Sequence, residues 1–482
     1  MARRFLIATF VSLAWLFCLP ALLVAEPVKP FWEVATKRPL IAGAPKYSDV
    51  IVRNRQPHPI PGKSDPFDTL QMLADFHVTR LDWTYNLTRE FVGRVKSMGI
   101  AVGGALENDE HDAQGGNLLG RVTDPQGRLK TTAWFGPNRW VGCPNAPEYR
   151  AAWLYRAKLN VDLGVDLIQQ DDPALSLRTK PPLCYCDYCK KAFALYQKVH
   201  GPDSSYEQFQ RDSVLAFHQE MHRELDAYAG RHIPFSDNDE IGFHGKFSFT
   251  QSAFDFVNCE IDAKNIEPSR FYGTVTEAAG VPLVFQYRET SVGANRRFLA
   301  LTYATGTWMM MPWDVYMPHD APRYFGKAED YADLSGFVRG NADVLDGYED
   351  AAAVGKGIQD ARYGAVAPLS IEGGSGEVYA FARARPGIAD APVVIHVVEW
   401  AKESKPMTLR LHGAEFGRRL SAKIRLPKPY DADLHAKAQK NGDFGSLIVE
   451  NALDATTVVD DTAIAIPALD PWGIVVVRSE SK

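Results

Sequence analysis

Net charge is nearly absent from this sequence: 53 Lys and Arg against 59 Asp and Glu leave −6 over 482 residues. That is no footprint for nucleic acid or for an acidic polymer as the main partner. Long apolar runs are missing beyond the N-terminus, so no later segment is long enough to cross a bilayer as a helix. No G-x-G-x-x-G follows the first candidate strand, where the chain reads GAPKYSD, and this argues against an open doubly wound sheet with a phosphate loop. There is no internal repeat and no low-complexity tract. Cysteine is scarce, with six in all, yet three of them crowd into CYCDYC at 184–189.

The chain starts with Arg3 and Arg4, an apolar run from Phe5 to Val24, and Ala25 before Glu26. This is the layout of a cleavable secretory signal over residues 1–25, an uncleaved anchor being the other reading of the same run. An exported protein, periplasmic or extracellular and off the membrane once cleaved, is the expectation. With 46% hydrophobic residues the remainder can bury the core of a large barrel plus a small module. Ten Trp and nineteen Tyr suit a carbohydrate binder, and equally a large core.

Past the signal, short apolar runs alternate with segments of helical period, the pattern of parallel βα units. Strands are predicted at 39–44, 78–83, 100–106, 164–171, 232–237, 257–261, 282–288 and 306–311. Eight such units predict an α/β (β/α)8 TIM barrel over residues 26–355, with chemistry at the C-terminal strand ends. Those ends are acidic or aromatic: Trp83, Glu107 with Asn108, Asp171 with Asp172, Asp237, Glu260, Glu289, and Trp313. Carboxylates are seldom buried unpaired, so packing alone is a poor reason for so many of them. From about residue 360 the segments EVYAFARA, PVVIHVVEW, MTLRLHG, AIAIPAL and WGIVVVRS are strand-like between Gly, Pro and Asp turns. They predict a small C-terminal β-sandwich, drawn as residues 356–482.

Cys143, Cys184, Cys186 and Cys189 can wrap one tetrahedral zinc, which takes four converging thiolates and, with all four places filled, is structural. Disulfides in three connectivities and a nucleophilic thiol are the alternatives. Three cysteines within six residues suit radial coordination better than two separate bridges. The stretch CPNAPEYR at 143–150, followed by CYCDYCKKAF, closely resembles the cysteine framework of glycoside hydrolase family 42, the TIM-barrel β-galactosidases. The resemblance is specific over residues 143–195 and architectural elsewhere. It implies a zinc on the four cysteines, just downstream of the acid/base residue that ends strand four, and a nucleophile ending strand seven.

Glycoside cleavage needs one carboxylic acid and one carboxylate flanking the bond. The family ends strand four in Asn-Glu; this chain has IQQDDP, which lays Asp171 on the Asn and Asp172 on the Glu. Asp172 with Glu289 is the first pairing by resemblance. Asp171 with Glu260 or Asp262 is the second, after clans that use strands four and six. Trp83, Glu107, Asn108, Asp237, Glu260 and Trp313 are candidate sugar-binding residues. For each acid the plain alternative is a salt bridge or a helix cap, and for each ring, core packing. The leading reading is an exported glycoside hydrolase acting on an oligo- or polysaccharide. The other is a non-catalytic carbohydrate-binding protein on the same barrel, favoured by the missing Asn-Glu. A zinc hydrolase is disfavoured by a closed four-sulfur site. The chain has no room for the family's intermediate trimerisation domain, so the oligomeric state stays open, a monomer included.

Overall fold

The computed structural model describes residues 28–38, 41–54, 69–132, 136, 138–238, 248–261, 266–278, 280–287, 291–312, 327–363, 367–412, 420–458 and 461–479. Eight parallel strands close into a barrel in chain order. They are β1 (Ile51–Arg53), β2 (Arg80–Thr84), β3 (Ala101–Leu106), β4 (Leu167–Gln170), β5 (Phe235–Asn238), β6 (Phe256–Ile261), β7 (Leu283–Tyr287) and β8 (Trp308–Pro312), with β1 pairing β8. Helices fill the connections, as a parallel sheet requires. Local chemistry stops or starts some of them. Thr88 caps helix Arg89–Ser97 by accepting from Phe91 N, and Gly164 ends helix Pro147–Leu163 in the left-handed region.

Seven of the eight barrel strands fall where their apolar runs predict. The first does not. Residues 41–44 form a turn with Gly43 at φ 81°, residues 39–40 lie outside the described residues, and the barrel takes the shorter Ile51-Val52-Arg53 instead. A three-residue strand ending in Arg carries too little period-2 signal to compete with PLIAGA on pattern.

Among the described residues, ten further strands make the C-terminal unit. A six-stranded sheet runs in the order β15-β14-β18-β12-β11-β9 and a four-stranded one β10-β13-β17-β16. The first comprises β9 (Glu349–Gly355), β11 (Val378–Ala384), β12 (Val393–Glu399), β14 (Leu420–Pro427), β15 (Ile448–Leu453) and β18 (Trp472–Ser479). The second comprises β10 (Leu369–Gly373), β13 (Met407–His412), β16 (Ala455–Val458) and β17 (Asp461–Ile466). Strand β13 alternates buried and half-buried residues, as a strand with one face on the core should. Strand β18 reads WGIVVV without alternation because both faces are covered. Val475 and Val477 join the sandwich core, while Trp472, Ile474 and Val476 join the core shared with the barrel. There Trp472 meets Phe337 edge-on at 4.9 Å and stacks on Tyr303 at 6.1 Å.

Candidate active site at the barrel mouth

Strand β4 places its residues by simple alternation. Gln169 points into the barrel and bonds Ser236 of β5 and Asn258 of β6. Gln170 points outward, accepting from Trp153 Nε1 at 2.8 Å. Asp171 then points inward again, at the mouth. Tyr85 O–H donates to its Oδ2 at 2.9 Å and Asn238 Nδ2 to its Oδ1 at 2.8 Å. Asp172 leaves the strand direction at φ 50° and lies 3.7 Å from Arg178 Nε. Of the two aspartates, the first faces the mouth and the second pairs with the loop beyond it.

Further charged side chains gather around the same mouth. Register pairs Leu106 of β3 with Gln170 of β4, so Glu107 follows beside Asp171. Burial, and next the negative charge of Asp171, push the Glu107 carboxyl above its ordinary range, against the pull of Arg139, which donates to it. Arg139 also holds Asp109 through two bonds of 2.6 and 2.8 Å. Below them Glu110 accepts from Glu107 N at 2.7 Å, and burial pushes its carboxyl up to about 7. Across the mouth, half-exposed Glu260 lies 3.8 Å from Arg53 Nη1. Arg53 is fully buried, donates to Gln286 and sits 4.9 Å over the Trp83 ring, thus joining β1, β2, β6 and β7.

The remaining candidates are placed differently. Trp83 is fully buried and so presents no open face to a sugar ring. Asp237 is fully buried and accepts from Thr250 at 3.4 Å. Asn108 is buried, and its amide has no hydrogen-bond partner among the described residues. Glu289, Trp313 and Asp262 lie outside the described residues. Sequence reasoning missed Tyr85, Arg53 and Arg139. The signal for Tyr85 was its place two residues past Trp83 at a strand end; Arg53 was hidden by the misplaced first strand.

The cysteines converge as the spacing suggests. The four sulfurs of Cys143, Cys184, Cys186 and Cys189 all lie within 4.8 Å of one another, with Cys143 3.5 Å from Cys186 and 3.4 Å from Cys189. A tetrahedral zinc with bonds of about 2.3 Å sets its sulfurs about 3.8 Å apart, so the donor set and its size fit such an ion. No pair is joined as a disulfide. Cys186 precedes helix Asp187–His200 and Cys189 lies in its first turn, where the helix dipole favours thiolate. The cluster could bind a metal ion.

No family model matches the chain, and no curated protein does. Among solved structures, the chain is similar to alpha-L-fucosidase isoenzyme 2 from Paenibacillus thiaminolyticus, with TM-score 0.54 and 9% identity, over 90% of this chain and 100% of that one. A beta-galactosidase from the psychrophilic Marinomonas ef1 follows at TM-score 0.42 and 10% identity, over 61% and 60%. The first likeness, at so low an identity, establishes the fold alone: a barrel of the kind glycoside hydrolases use. The fucosidase likeness does not point to family 42 in particular.

Proposed function

We propose that the chain is an exported glycoside hydrolase in which Asp171 is the carboxylate that attacks the sugar or activates water. The observation that carries this is Asp171 itself: it faces the barrel mouth with a hydrogen bond on each oxygen and a second carboxyl, Glu107, beside it. Neighbouring strands lie about 4.8 Å apart, close to the roughly 5 Å that a retaining pair needs. A carboxyl pushed up by burial and by its partner's charge suits the acid of such a pair. Glu107 then protonates the glycosidic oxygen as the C–O bond breaks, Asp171 takes the anomeric carbon, and water later releases the sugar with Glu107 as base. Glu260 and Glu289 are the other carboxyls that could supply the proton. Asp172, tied to Arg178, is assigned to the loop. The four cysteines are proposed to hold a structural zinc that takes no part in the reaction.

The test is a panel of aryl glycosides and plant or algal oligosaccharides with the mature chain. Asp171→Asn should lose activity on every substrate. Glu107→Gln should lose about 10²–10⁴-fold on sugars with poor leaving groups and far less on dinitrophenyl glycosides, which need no acid. If Glu260→Gln or Glu289→Gln shows that pattern instead, the acid is reassigned. Binding of oligosaccharides without turnover of any would favour the non-catalytic reading, to which the ion pairs Arg139–Glu107 and Arg53–Glu260 lend some support.

A further inference from the structure

Strands β2 and β3 slip register at the mouth. Leu81 pairs with Val102, but the next pair is Thr84 with Gly104, so Asp82 and Trp83 stand against Gly103 alone. This is a β-bulge, a device that re-aims side chains at barrel rims. The bulge is crowded at Gly103, where a Cβ would lie 3.1 Å from the Asp82 Cα, tighter than an ordinary contact. It also holds Trp83 at φ 59°, a region where a bulky side chain is strained.

The bulge has one visible product. Trp83 Nε1 donates to the Tyr85 hydroxyl at 3.1 Å, and that hydroxyl lies 2.9 Å from Asp171 Oδ2. An indole N–H only donates, and a phenol has a single hydrogen. With Tyr85 accepting from Trp83, its own hydrogen is committed to Asp171, and the chain of bonds runs one way. Arg53, on the neighbouring strand β1, lies over the Trp83 ring and is bonded to Gln286, and so fixes the start of that chain. We infer that Tyr85 is a positioning residue for the reaction, directed by Trp83 to hold Oδ2 of Asp171 and so fix the orientation of the attacking carboxylate.

This inference rests on Asp171 being the reacting carboxylate, and the experiment separates the two claims. In protein carrying ¹³C-labelled aspartate carboxyls, the Asp171 signal is identified by its loss in Asp171→Asn. In Tyr85→Phe that signal should move in chemical shift, since the hydrogen bond to one of its oxygens has gone. Trp83→Phe, which removes the N–H and nearly keeps the ring, should move it the same way by less. On any glycoside that is turned over, kcat in Tyr85→Phe should fall about ten- to a hundredfold with KM little changed. A folded Tyr85→Phe whose Asp171 signal and kcat stay where they were overturns the inference and leaves the proposed activity standing. Full activity in Asp171→Asn overturns the activity assignment and, with it, the positioning role.

Discussion

The barrel mouth and the cysteine cluster both hang from the end of β4, yet they are built in opposite ways. The cluster draws three of its four ligands from six consecutive residues, and the fourth, Cys143, stands just before helix Pro147–Leu163, earlier in the chain. The mouth draws Arg53, Tyr85, Glu107, Asp171, Asn238 and Glu260 from six different strand ends. A local cluster is specified by spacing, whereas a distributed one exists only after the barrel has closed. The two should therefore fail differently: loss of a cysteine should damage structure first, and loss of a mouth residue should damage chemistry first.

The largest effect is expected from Cys184→Ser or from chelation. If the cluster holds zinc, elemental analysis of the purified chain finds about one zinc per molecule, and either treatment removes it. Structural zinc supplies about 10–16 kcal/mol to small zinc domains. Even a fraction of that here should lower the melting temperature by many degrees and expose the segment around 107–142, which the cluster ties to the barrel through Cys143. Activity should fall together with the near-ultraviolet circular dichroism, not ahead of it. Activity lost on chelation with the melting curve unchanged would break the comparison, because the metal would then belong to the mouth.

How much of this was legible beforehand follows the same division. The barrel could be read from its repeating apolar runs, and the cysteine group from C-x-C-x-x-C. The acidic strand ends marked Glu107, Asp171 and Glu260 as residues to watch. The choice between Asp171 and Asp172 could not be made by resemblance, because it turns on which side of β4 each residue leaves, and the resembling motif has Asn-Glu at that place. Trp83 read as a sugar platform because it ends a strand, yet the bulge turns it under Arg53. Nothing in the spacing of one strand announces a slip relative to its neighbour. Tyr85 had only its place two residues past Trp83 to mark it, and β9 and β14 were missed because EDAAAVG and LSAKIRLP mix small and charged residues.

A middle-sized effect should come from the floor of the mouth. Burial raises the Glu110 carboxyl from an ordinary value near 4.5 to about 7 in the folded chain. A raised carboxyl binds its proton more tightly folded than unfolded, so its contribution is full below about pH 4.5 and is lost as pH climbs to about 7. The span corresponds to about 3 kcal/mol. Glu110→Gln, which cannot lose a proton, should flatten that part of the stability–pH curve and be the more stable protein at pH 8, as urea unfolding would measure. A steeper curve in Glu110→Gln would show that Glu110 is charged in the fold, held by Arg156 at 3.8 Å.

The smallest effect should come from the residue next to the most sensitive one. Asp172 sits at φ 50°, a region that Asn adopts nearly as readily as Asp, so Asp172→Asn keeps the backbone. It forfeits an ion pair to Arg178 at 3.7 Å, of the kind usually worth up to about 1 kcal/mol. Stability should drop by no more than that, and kcat/KM on aryl glycosides should stay within a few-fold of the parent. Asp172→Val, which the left-handed region strains, should cost about 1–2 kcal/mol more while still leaving the chemistry in place. If Asp172→Asn instead abolishes turnover and Asp171→Asn does not, the resemblance to Asn-Glu had the right register. Asp171 would then be the supporting residue, and the hydrogen bonds from Tyr85 and Asn238 would belong to the scaffold of the mouth rather than to its reacting group.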